Sequence, residues 1–308
     1  MTGESRWDNG KRRVKVLVIG AAGQLGYDLL RTFSPSHEVL GADMPGAGAE
    51  REIDIADQSS LVELAVAYQP DVVINAAAYT NVDGCETNRD ACWQVNDTGA
   101  GNVARACGLC GGATLIHIST DYVFDGSKGA PYAENDPISP LGEYGKSKFS
   151  GEKAVRKQLP GKHLIVRTAW LFGVHGHNFV KTMLRLGRER DEISVVSDQT
   201  GSPTYAGHLA AALKSLAETR LGHPGTYHMT GSGHCTWYEF ATEIFRLAGL
   251  PATLKPTTTA EYNAPAPRPA FSALANTRAP EIKMPPWRDG LIECLSELGE
   301  LRNEGGTV

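Results

Sequence analysis

Short runs of β-branched and aliphatic residues alternate with stretches of helical periodicity along the first half of the chain, and this alternation constrains the fold more than any other feature. The strand-like runs cover 14–19, 38–43, 71–75, 113–119 and 163–168, and the helical stretches cover 25–33, 59–68, 88–107 and 144–159. Strands that alternate with helices form βαβ units, in which the strands lie parallel in one sheet and the helices cover both faces. The sequence therefore predicts an α/β fold built on a doubly wound parallel sheet.

The second half of the chain lacks this regular alternation. Its helical stretches, strand-like run and proline-rich segments cover 179–190, 193–196, 206–219, 237–248, 251–269 and 280–286. We predict a main domain over 14–170 and a smaller C-terminal lobe, mainly 171–301, that binds the substrate. Within this lobe the segment at about 193–219 is predicted to return to the main sheet. The ends of the chain, 1–13 and 302–308, are predicted to be flexible tails.

Charge and composition limit the partners of the protein. The net charge of -5 argues against a nucleic acid and against an anionic membrane surface, since both require a basic face. No apolar run approaches the roughly 20 residues that span a bilayer. The polar start of the chain lacks the apolar core of a signal peptide. A cytoplasmic location is therefore expected, where the six cysteines should be free thiols.

A glycine-rich turn follows the first strand directly and carries Gly20, Gly23 and Gly26. Between a strand and a helix, the first glycine allows the tight turn, the second lets the backbone approach a pyrophosphate, and the third lets the helix pack on the sheet. The N–H groups at the start of the helix, around Gln24 and Leu25, are expected to face the phosphates. The pattern predicts a Rossmann-type sheet that binds NAD or NADP, so that 14–170 is an NAD(P)-binding domain.

Further candidates for the cofactor site lie at the ends of the next strands. Asp43 ends the second strand and can accept hydrogen bonds from the adenosine ribose hydroxyls, and its charge would repel a 2′-phosphate, which favours NADH over NADPH. Asp54 and Ile55 are expected to grip the adenine. The small residues Ala76, Ala77 and Ala78, followed by Tyr79, suit close approach of the backbone to the cofactor.

Tyr144 and Lys148 stand four residues apart on a predicted helix and therefore share one face. An ammonium near a phenol favours the phenolate, so we expect Lys148 to lower the pKa of Tyr144 and make it a general acid for a carbonyl oxygen that receives hydride. Lys148 is also expected to hold the nicotinamide ribose. Thr120 ends a strand and is expected to hydrogen-bond the substrate carbonyl beside Tyr144. These three groups, after a glycine turn, predict an NAD(P)H-dependent carbonyl reductase.

At these residues the chain resembles the extended short-chain dehydrogenase/reductase superfamily and, within it, the dTDP-4-dehydrorhamnose reductase family. The resemblance extends from about residue 15 to residue 298. It rests on GAAGQLG (20–26), NAAAYTNVD (75–83), STDYVFDG (119–126), YGKSKFSGE (144–152), RTAWLFG (167–173), NFVKTM (178–183) and SDQTGSPT (197–204). The resemblance implies that NADPH or NADH reduces the C4 keto group of dTDP-4-dehydro-L-rhamnose to give dTDP-L-rhamnose, a step of nucleotide-sugar biosynthesis.

The resemblance also implies roles for individual residues. Thr120, Tyr144 and Lys148 match the catalytic residues of the family. The residues implied to bind the substrate are Asp121 and Tyr122 near the sugar, Trp170 as a wall of the sugar pocket, and Asn178, Gln199 and Arg268 near the nucleotide diphosphate. A guanidinium such as that of Arg268 suits a pyrophosphate because its fork matches phosphate oxygens.

One departure from the family concerns magnesium. Some members pair as homodimers around a magnesium ion held by acidic residues, and Asp28 and Glu192 stand at two of these positions here. The third position holds Arg288, a cation, which argues against a magnesium-bridged dimer, and no protein metal site is predicted. A homodimer without the ion stays open. Two histidines, His175 and His177, flank a glycine and are expected to line a pocket and not to bind a metal.

Three alternatives are kept open. The chain could be another 4-ketoreductase for a dTDP-deoxysugar, in which the catalytic set is unchanged and the sugar pocket differs. It could resemble the regulatory subunits of methionine adenosyltransferase, which bind a dinucleotide without turnover. The presence of Thr120, Tyr144, Lys148 and Trp170 together argues against that function. An epimerase or dehydratase is the third alternative.

Overall fold

A computed structural model describes residues 7–8, 11–219, 221–278 and 282–302. The strands are β1 Trp7–Asp8, β2 Lys11–Arg12, β3 Lys15–Ile19, β4 Glu38–Asp43, β5 Arg51–Glu52, β6 Val72–Asn75, β7 Thr114–Thr120, β8 His163–Thr168, β9 Leu171–Phe172, β10 Glu192–Val196, β11 Thr200–Gly201, β12 Thr204–Tyr205, β13 Gly225–His228, β14 Cys235–Thr236 and β15 Thr253–Thr257. The helices are α1 Gln24–Phe33, α2 Gln58–Tyr68, α3 Val82–Thr87, α4 Arg89–Trp93, α5 Ala100–Leu109, α6 Glu143–Gln158, α7 Phe179–Glu189, α8 Ala206–Thr219, α9 Trp237–Ala248, α10 Thr259–Tyr262 and α11 Trp287–Glu297.

Seven parallel strands form the main sheet in the order β13-β8-β7-β6-β3-β4-β5. Successive side chains of a strand point to opposite faces. In β3, Val16 and Val18 therefore join the core cluster beneath α1 and α8, whereas Leu17 and Ile19 join the cluster beneath α2, α5 and α6. A sheet that is apolar on both faces must be covered by helices on both sides. The predicted doubly wound, Rossmann-type parallel sheet is confirmed.

A smaller lobe stands beside the sheet with a core of its own. Helices α7, α9 and α11 pack around Phe240, which contacts the rings of Phe172, Phe179 and Trp287. The parallel pair β10 and β15 lies in this lobe. Because the lobe is formed almost wholly by residues after 170, a second, C-terminal core agrees with the predicted fold class.

The segment that returns to the main sheet differs from the predicted range, 193–219. Strand β10 does not return: Ile193 and Val195 are buried in the lobe core, and the strand pairs with β15. Helix α8 does return and packs against α1, and β13 then joins the sheet beside β8. The prediction is therefore corrected to a returning segment of about 206–228. The apolar alternation of β10 could not reveal which of the two cores it enters.

The long helix predicted at 88–107 is divided in the structure. Helix α4 runs into a π-helical turn at Gln94–Gly99, and α5 follows. Helix α6 packs closely at this turn, since a Cβ on Gly151 would lie 2.1 Å from the Asn96 carbonyl oxygen. The side chain of Asn96 meanwhile bonds both the backbone N–H and the carbonyl of Tyr79. The π-helical turn thus hydrogen-bonds to the loop at Tyr79, which the sequence predicts to line the cofactor site.

Within the predicted N-terminal tail, Trp7–Asp8 pairs antiparallel with Lys11–Arg12, and the flexibility of the tail stays a prediction. The remaining residues before 11, and 303–308 of the predicted C-terminal tail, lie outside the described residues. All six cysteines are free and buried. In the described part of the chain, no helix is long and apolar enough to cross a membrane.

Candidate active site

The carboxyl ends of the central strands open onto a cavity of about 640 Å³. Parallel sheets bind ligands at this edge, outside the carboxyl ends of their strands. The cavity is lined by every residue predicted for the cofactor: Gly20, Gly23, Gln24, Leu25, Gly26, Asp43, Asp54, Ile55, Ala76, Ala77, Ala78, Tyr79, Tyr144 and Lys148. Thr120, Asp121, Tyr122 and Trp170 line the same cavity. One cleft therefore joins the predicted dinucleotide, catalytic and sugar residues.

The glycine turn has the close packing that a dinucleotide fingerprint requires. Gly20 has a φ of +84°, and a Cβ there would lie 2.6 Å from the Ala77 backbone nitrogen. A Cβ on Gly26 would lie 2.1 Å from the Gly20 carbonyl oxygen. Helix α1 begins after Gly23 with no acidic residue in its first turn, and among the described residues no side chain caps it. Its first N–H groups and its dipole can therefore receive a phosphate.

Asp43 holds the glycine turn as well as facing the cavity. Its Oδ2 accepts a hydrogen bond from the Ala22 N–H at 2.8 Å, and its Oδ1 accepts one from the Met44 N–H at 2.7 Å. Each carboxylate oxygen retains acceptor capacity. Asp54 also lines the cavity, and the described lining residues include no arginine. The charges at this end thus suit a ribose diol better than a 2′-phosphate.

Helix α6 carries Tyr144 and Lys148 into the cavity, and Thr120 meets them from the end of β7. Burial raises the pKa of Tyr144, and the neighbouring Thr120 hydroxyl opposes this shift. The expectation that Lys148 lowers this pKa is not met: Lys148 Nζ donates to the Ile118 carbonyl oxygen at 2.7 Å. The desolvation of the phenol outweighs the neighbouring ammonium. A raised pKa keeps Tyr144 protonated, which is the form that gives up a proton.

A buried ionic cluster holds the base of this helix. Glu152, one turn after Lys148, accepts hydrogen bonds from Arg167 Nε and Nη2, both at 2.8 Å, from Arg156 at 3.0 Å and from the Ser119 hydroxyl at 2.7 Å. Burial lowers the pKa of Lys148 to about 8, and the Glu152 charge opposes this shift. The cluster therefore fixes α6 against β7 and β8 and helps Lys148 to remain charged.

Two tryptophans form one wall at the sugar end. The rings of Trp170 and Trp237 stack with centroids 3.5 Å apart and planes 6° apart, and both line the cavity. Trp170 has a φ of +45°, which is a strained backbone for a bulky residue and occurs mainly where the surroundings impose it. Close contact of its indole with Gly201 leaves no room for a side chain there. The strain and the stack fix one orientation of the Trp170 ring.

The sequence missed some residues of the site. Trp237 lines the cavity, and so do Met44, Thr80, Ser119 and Thr168, whereas His177 lines it as expected. Trp237 begins α9 after the Thr236 cap, so its position in the sequence indicates only a helix start. It reaches the cavity because the lobe folds back over the sheet, which no local pattern reveals.

Three described residues predicted to bind the diphosphate do not line this cavity, and each has a protein partner. Asn178 caps α7 and donates to Gln24 Oε1 and to the Gly173 carbonyl oxygen, both at 2.8 Å. Gln199 donates to Thr259 at 3.0 Å. Arg268 pairs with Asp83 at 3.0 Å, and it affects the pKa of Tyr122, which lines the cavity. Arg268 therefore lies beside the site, and binding of the substrate by these three residues stays a prediction.

The residues considered for metal have other contacts. Asp28 is buried in α1, where burial raises its pKa to about 6. Glu192 pairs with Lys255, and Arg288 lies over the Trp287 ring. His175 stacks on Tyr27. Among the described residues, no group of three histidine, cysteine, aspartate or glutamate side chains could hold a metal ion.

Comparison with known proteins gives a consistent result. The family model for the RmlD substrate binding domain matches residues 14–300. A spore coat polysaccharide biosynthesis protein of Bacillus subtilis is 44% identical over 92% of this chain and 97% of its own length. The dTDP-4-dehydrorhamnose reductase of Burkholderia thailandensis is 40% identical over 92% of this chain and 99% of its own. The crystal structure of the Bacillus anthracis dTDP-4-dehydrorhamnose reductase in complex with NADP has a TM-score of 0.87, with 40% identity over 92% of this chain and 99% of that one.

Proposed function

Because the chain belongs to the RmlD substrate-binding-domain family of dTDP-4-dehydrorhamnose reductases, we propose that it reduces the C4 keto group of dTDP-4-dehydro-L-rhamnose to give dTDP-L-rhamnose. A bound NADPH or NADH supplies the hydride to C4. The oxygen at C4 receives a proton, so that the sugar is reduced and the cofactor is oxidised. The observation that carries this proposal is the single cleft that combines the glycine turn with Thr120, Tyr144 and Lys148.

Each of the three catalytic candidates has a separate role in the reduction of the carbonyl group. Tyr144 donates its phenolic proton to the oxygen as hydride arrives, because its raised pKa keeps that proton in place beforehand. Thr120 donates a hydrogen bond that orients the carbonyl. Lys148, charged and buried, stabilises the phenolate that Tyr144 becomes and holds the nicotinamide ribose.

The nucleotide end of the cleft suits both NADH and NADPH, but it suits NADH better. The uncapped start of α1 and the glycine turn suit the pyrophosphate that NADH and NADPH share. The carboxylates of Asp43 and Asp54 favour the ribose hydroxyls of NADH over a 2′-phosphate. We therefore infer that NADH binds more tightly than NADPH.

The part of the cleft that is predicted to bind the sugar is lined by both polar and aromatic side chains. Asp121 and Tyr122 line the cavity together with the catalytic residues, and the stacked rings of Trp170 and Trp237 line it as well. We infer that Asn178, Gln199 and Arg268 serve the diphosphate indirectly or after a rearrangement. A homodimer, a cytoplasmic location and the lack of a nucleic-acid partner remain predictions from the sequence.

The product formed and the presence or absence of turnover distinguish the three alternative functions. A reductase for another dTDP-4-keto sugar would use the same three catalytic residues, so the stereochemistry of the product identifies it. A regulatory subunit would bind the dinucleotide without turnover, and an epimerase or dehydratase would regenerate its cofactor.

The test is the loss of NAD(P)H absorbance with enzymatically generated dTDP-4-dehydro-L-rhamnose, with and without magnesium, and identification of the sugar product. Tyr144→Phe should lower kcat by at least about 100-fold, as the loss of a general acid does, while cofactor binding is kept. Tyr238→Phe is a matched control, since this tyrosine does not line the cavity. Cofactor binding by the wild type without any oxidation would refute the proposed reduction, and unchanged turnover in Tyr144→Phe would refute the mechanism.

A further inference from the structure

Asp121 places a carboxyl group beside the catalytic hydroxyls, and the proposed reduction gives this group no role in the proton transfer at C4. Asp121 is only 2% exposed. Oδ1 accepts a hydrogen bond from the Thr120 hydroxyl at 3.0 Å, and Oδ2 accepts one from the Ser272 hydroxyl at 2.5 Å. Ser272 is itself buried and belongs to the C-terminal part of the chain. A buried carboxyl with hydroxyl partners on both oxygens can exist as a carboxylate or as a neutral acid.

The choice between these two forms decides where the Thr120 proton points. A threonine hydroxyl has one proton to donate and two lone pairs to accept with. One lone pair accepts the Tyr122 N–H at 3.2 Å. If Asp121 is ionised, it has no proton to give, so the contact at 3.0 Å requires the single Thr120 proton. The Thr120 hydroxyl then has no proton left for a substrate carbonyl.

If Asp121 is protonated, the same contact can reverse. The acid O–H donates to the second lone pair of Thr120, and the Thr120 proton is then free to turn towards Tyr144, which lines the same cavity and whose pKa the Thr120 hydroxyl affects. All donors and acceptors of the threonine are then used, and its proton points to where the carbonyl oxygen must lie to receive the proton of Tyr144.

Building on the proposed reduction, we propose that Asp121 works as a neutral carboxylic acid, held by Ser272, and that this form frees the Thr120 hydroxyl to donate to the reacting carbonyl oxygen. Asp121 and Ser272 are positioning residues, because they act through Thr120. Asp121 keeps its proton throughout, and the proton that the sugar gains comes from Tyr144.

The segment that carries Ser272 is held on both sides, so that its hydroxyl has a fixed position. The Ser272 N–H donates to the Thr200 carbonyl oxygen at 2.8 Å, and the Tyr132 N–H donates to the Ala273 carbonyl oxygen at 2.8 Å. Thr200 belongs to the lobe, whereas Tyr132 belongs to the N-terminal part. Ser272 thus reaches Asp121 from a bridge between the two parts of the molecule.

The surroundings of Asp121 agree with a neutral acid at moderate pH. Burial raises the pKa of Asp121 to about 7, and the hydrogen bonds from Ser272 and Thr120 hold it lower than burial alone would. The titratable or charged groups around the cluster are Tyr122 beside it, Tyr144 and Lys148 on α6, Cys85 on α3, and the Arg268–Asp83 pair beyond Tyr122. Burial raises the pKa of both tyrosines and of Cys85, so these groups are uncharged in this range. The active form is the protonated one, so the rate should fall as pH rises through about 7.

The test is the pH dependence of kcat/KM for the sugar in Asp121→Asn and Ser272→Ala. The amide of Asn can donate to Thr120 as the acid does, and its oxygen can accept from Ser272, but it does not ionise. Asp121→Asn should keep kcat/KM within about tenfold of the wild type at low pH and lack the fall near neutrality. Ser272→Ala removes a donor that favours the carboxylate, so the fall should move to higher pH.

Matched variants keep the interpretation specific. Ser272→Thr retains the hydroxyl and should retain the wild-type profile. Ser127→Ala, at an exposed serine away from the cavity, should leave the profile unchanged. The titration of Lys148, whose pKa is about 8, should remain as a separate inflection in every variant. Inactivity of Asp121→Asn at all pH values would overturn the proposal, and so would a fall near neutrality that persists in this variant.

An infrared measurement separates this proposal from the proposed function. Asp28, whose pKa burial raises to about 6, should give a protonated-acid C=O stretch in both proteins at low pH. The band of Asp121 is the C=O stretch that titrates away near pH 7 in the wild type, and this band should be missing in Asp121→Asn. The band requires no turnover. Sugar reduction without such a band would overturn the present proposal alone, whereas the band without sugar reduction would overturn the proposed function alone.

Discussion

Replacing Glu152 by glutamine should destabilise the protein by several kcal/mol, because this carboxylate is the centre of the buried ionic cluster. Its side chain is fully buried, and four hydrogen bonds reach it from Arg167, Arg156 and Ser119. These partners lower its pKa from 4.5 to about 2 against the opposing effect of burial. At about 1.36 kcal/mol per pKa unit, the fall from 4.5 to about 2 corresponds to roughly 3 kcal/mol. The loss of one partner of a buried ion pair costs about 3–5 kcal/mol, which is the same range.

The lowered pKa of Glu152 also predicts how the stability difference between the wild type and Glu152→Gln changes with pH. A carboxyl whose pKa is lowered by folding stabilises the folded state above its unfolded pKa, and this contribution is lost as pH falls from about 4.5 towards about 2. By the same linkage relation about 0.8 kcal/mol is lost already at pH 4. Glutamine does not titrate, so the difference in stability between wild type and Glu152→Gln should shrink as the pH is lowered.

Urea unfolding of both proteins from about pH 7 to about pH 4 measures this difference, under conditions where unfolding is reversible. Glu189→Gln is a suitable control, because Glu189 pairs with Arg185 at the surface of α7, where ion pairs contribute about 0–1 kcal/mol. A cost below about 1 kcal/mol for Glu152→Gln, or a difference in stability that does not change with pH, would refute the reasoning.

Two further predictions concern the ligands. Asp43→Ala should weaken NADH binding more than NADPH binding, because it removes a carboxylate that accepts from a ribose diol and repels a 2′-phosphate. Fluorescence titration with both cofactors measures the two affinities. Equal losses would mean that Asp43 acts only on the glycine turn, through its bonds to Ala22 and Met44. Trp237→Ala should raise the KM for the sugar nucleotide about two- to tenfold, since an aromatic pair contributes about 0.5–1.5 kcal/mol, and should leave the KM for the cofactor unchanged. Steady-state kinetics with each substrate varied in turn tests this, and an equal rise in both values would count against a role confined to the sugar end.

Much of the nucleotide half could be predicted because its signals are local. A buried strand that leads into a glycine turn and a helix specifies its own geometry, and residues that end adjacent parallel strands meet at one edge. The positions of Gly20, Asp43 and Ala77 on the cavity follow from this rule. Tyr144 and Lys148 were predictable for the same reason, since helical spacing alone places them on one face.

What could not be predicted depends on contacts between distant parts of the chain. The alternating pattern of β10 is the same whether the strand joins the sheet or the lobe, and only the packing of Ile193 and Val195 decides. The charge of Lys148 was expected to determine the pKa of Tyr144, but the degree of burial determines it, and burial depends on the whole fold. Trp237 and Ser272 reach the site from the lobe, at separations that no local pattern covers.

The contact between Ser272 and Asp121 spans 151 positions of the chain and bears on how the protein is made. The strands that carry the glycine turn lie in the first quarter of the sequence, so they leave the ribosome early. Ser272 follows nearly two hundred residues later, and contacts of such separation close late in folding because of their loop entropy. The strands around the glycine turn are therefore available to pair early, and the contact between Ser272 and Asp121 is among the last of the centre to form.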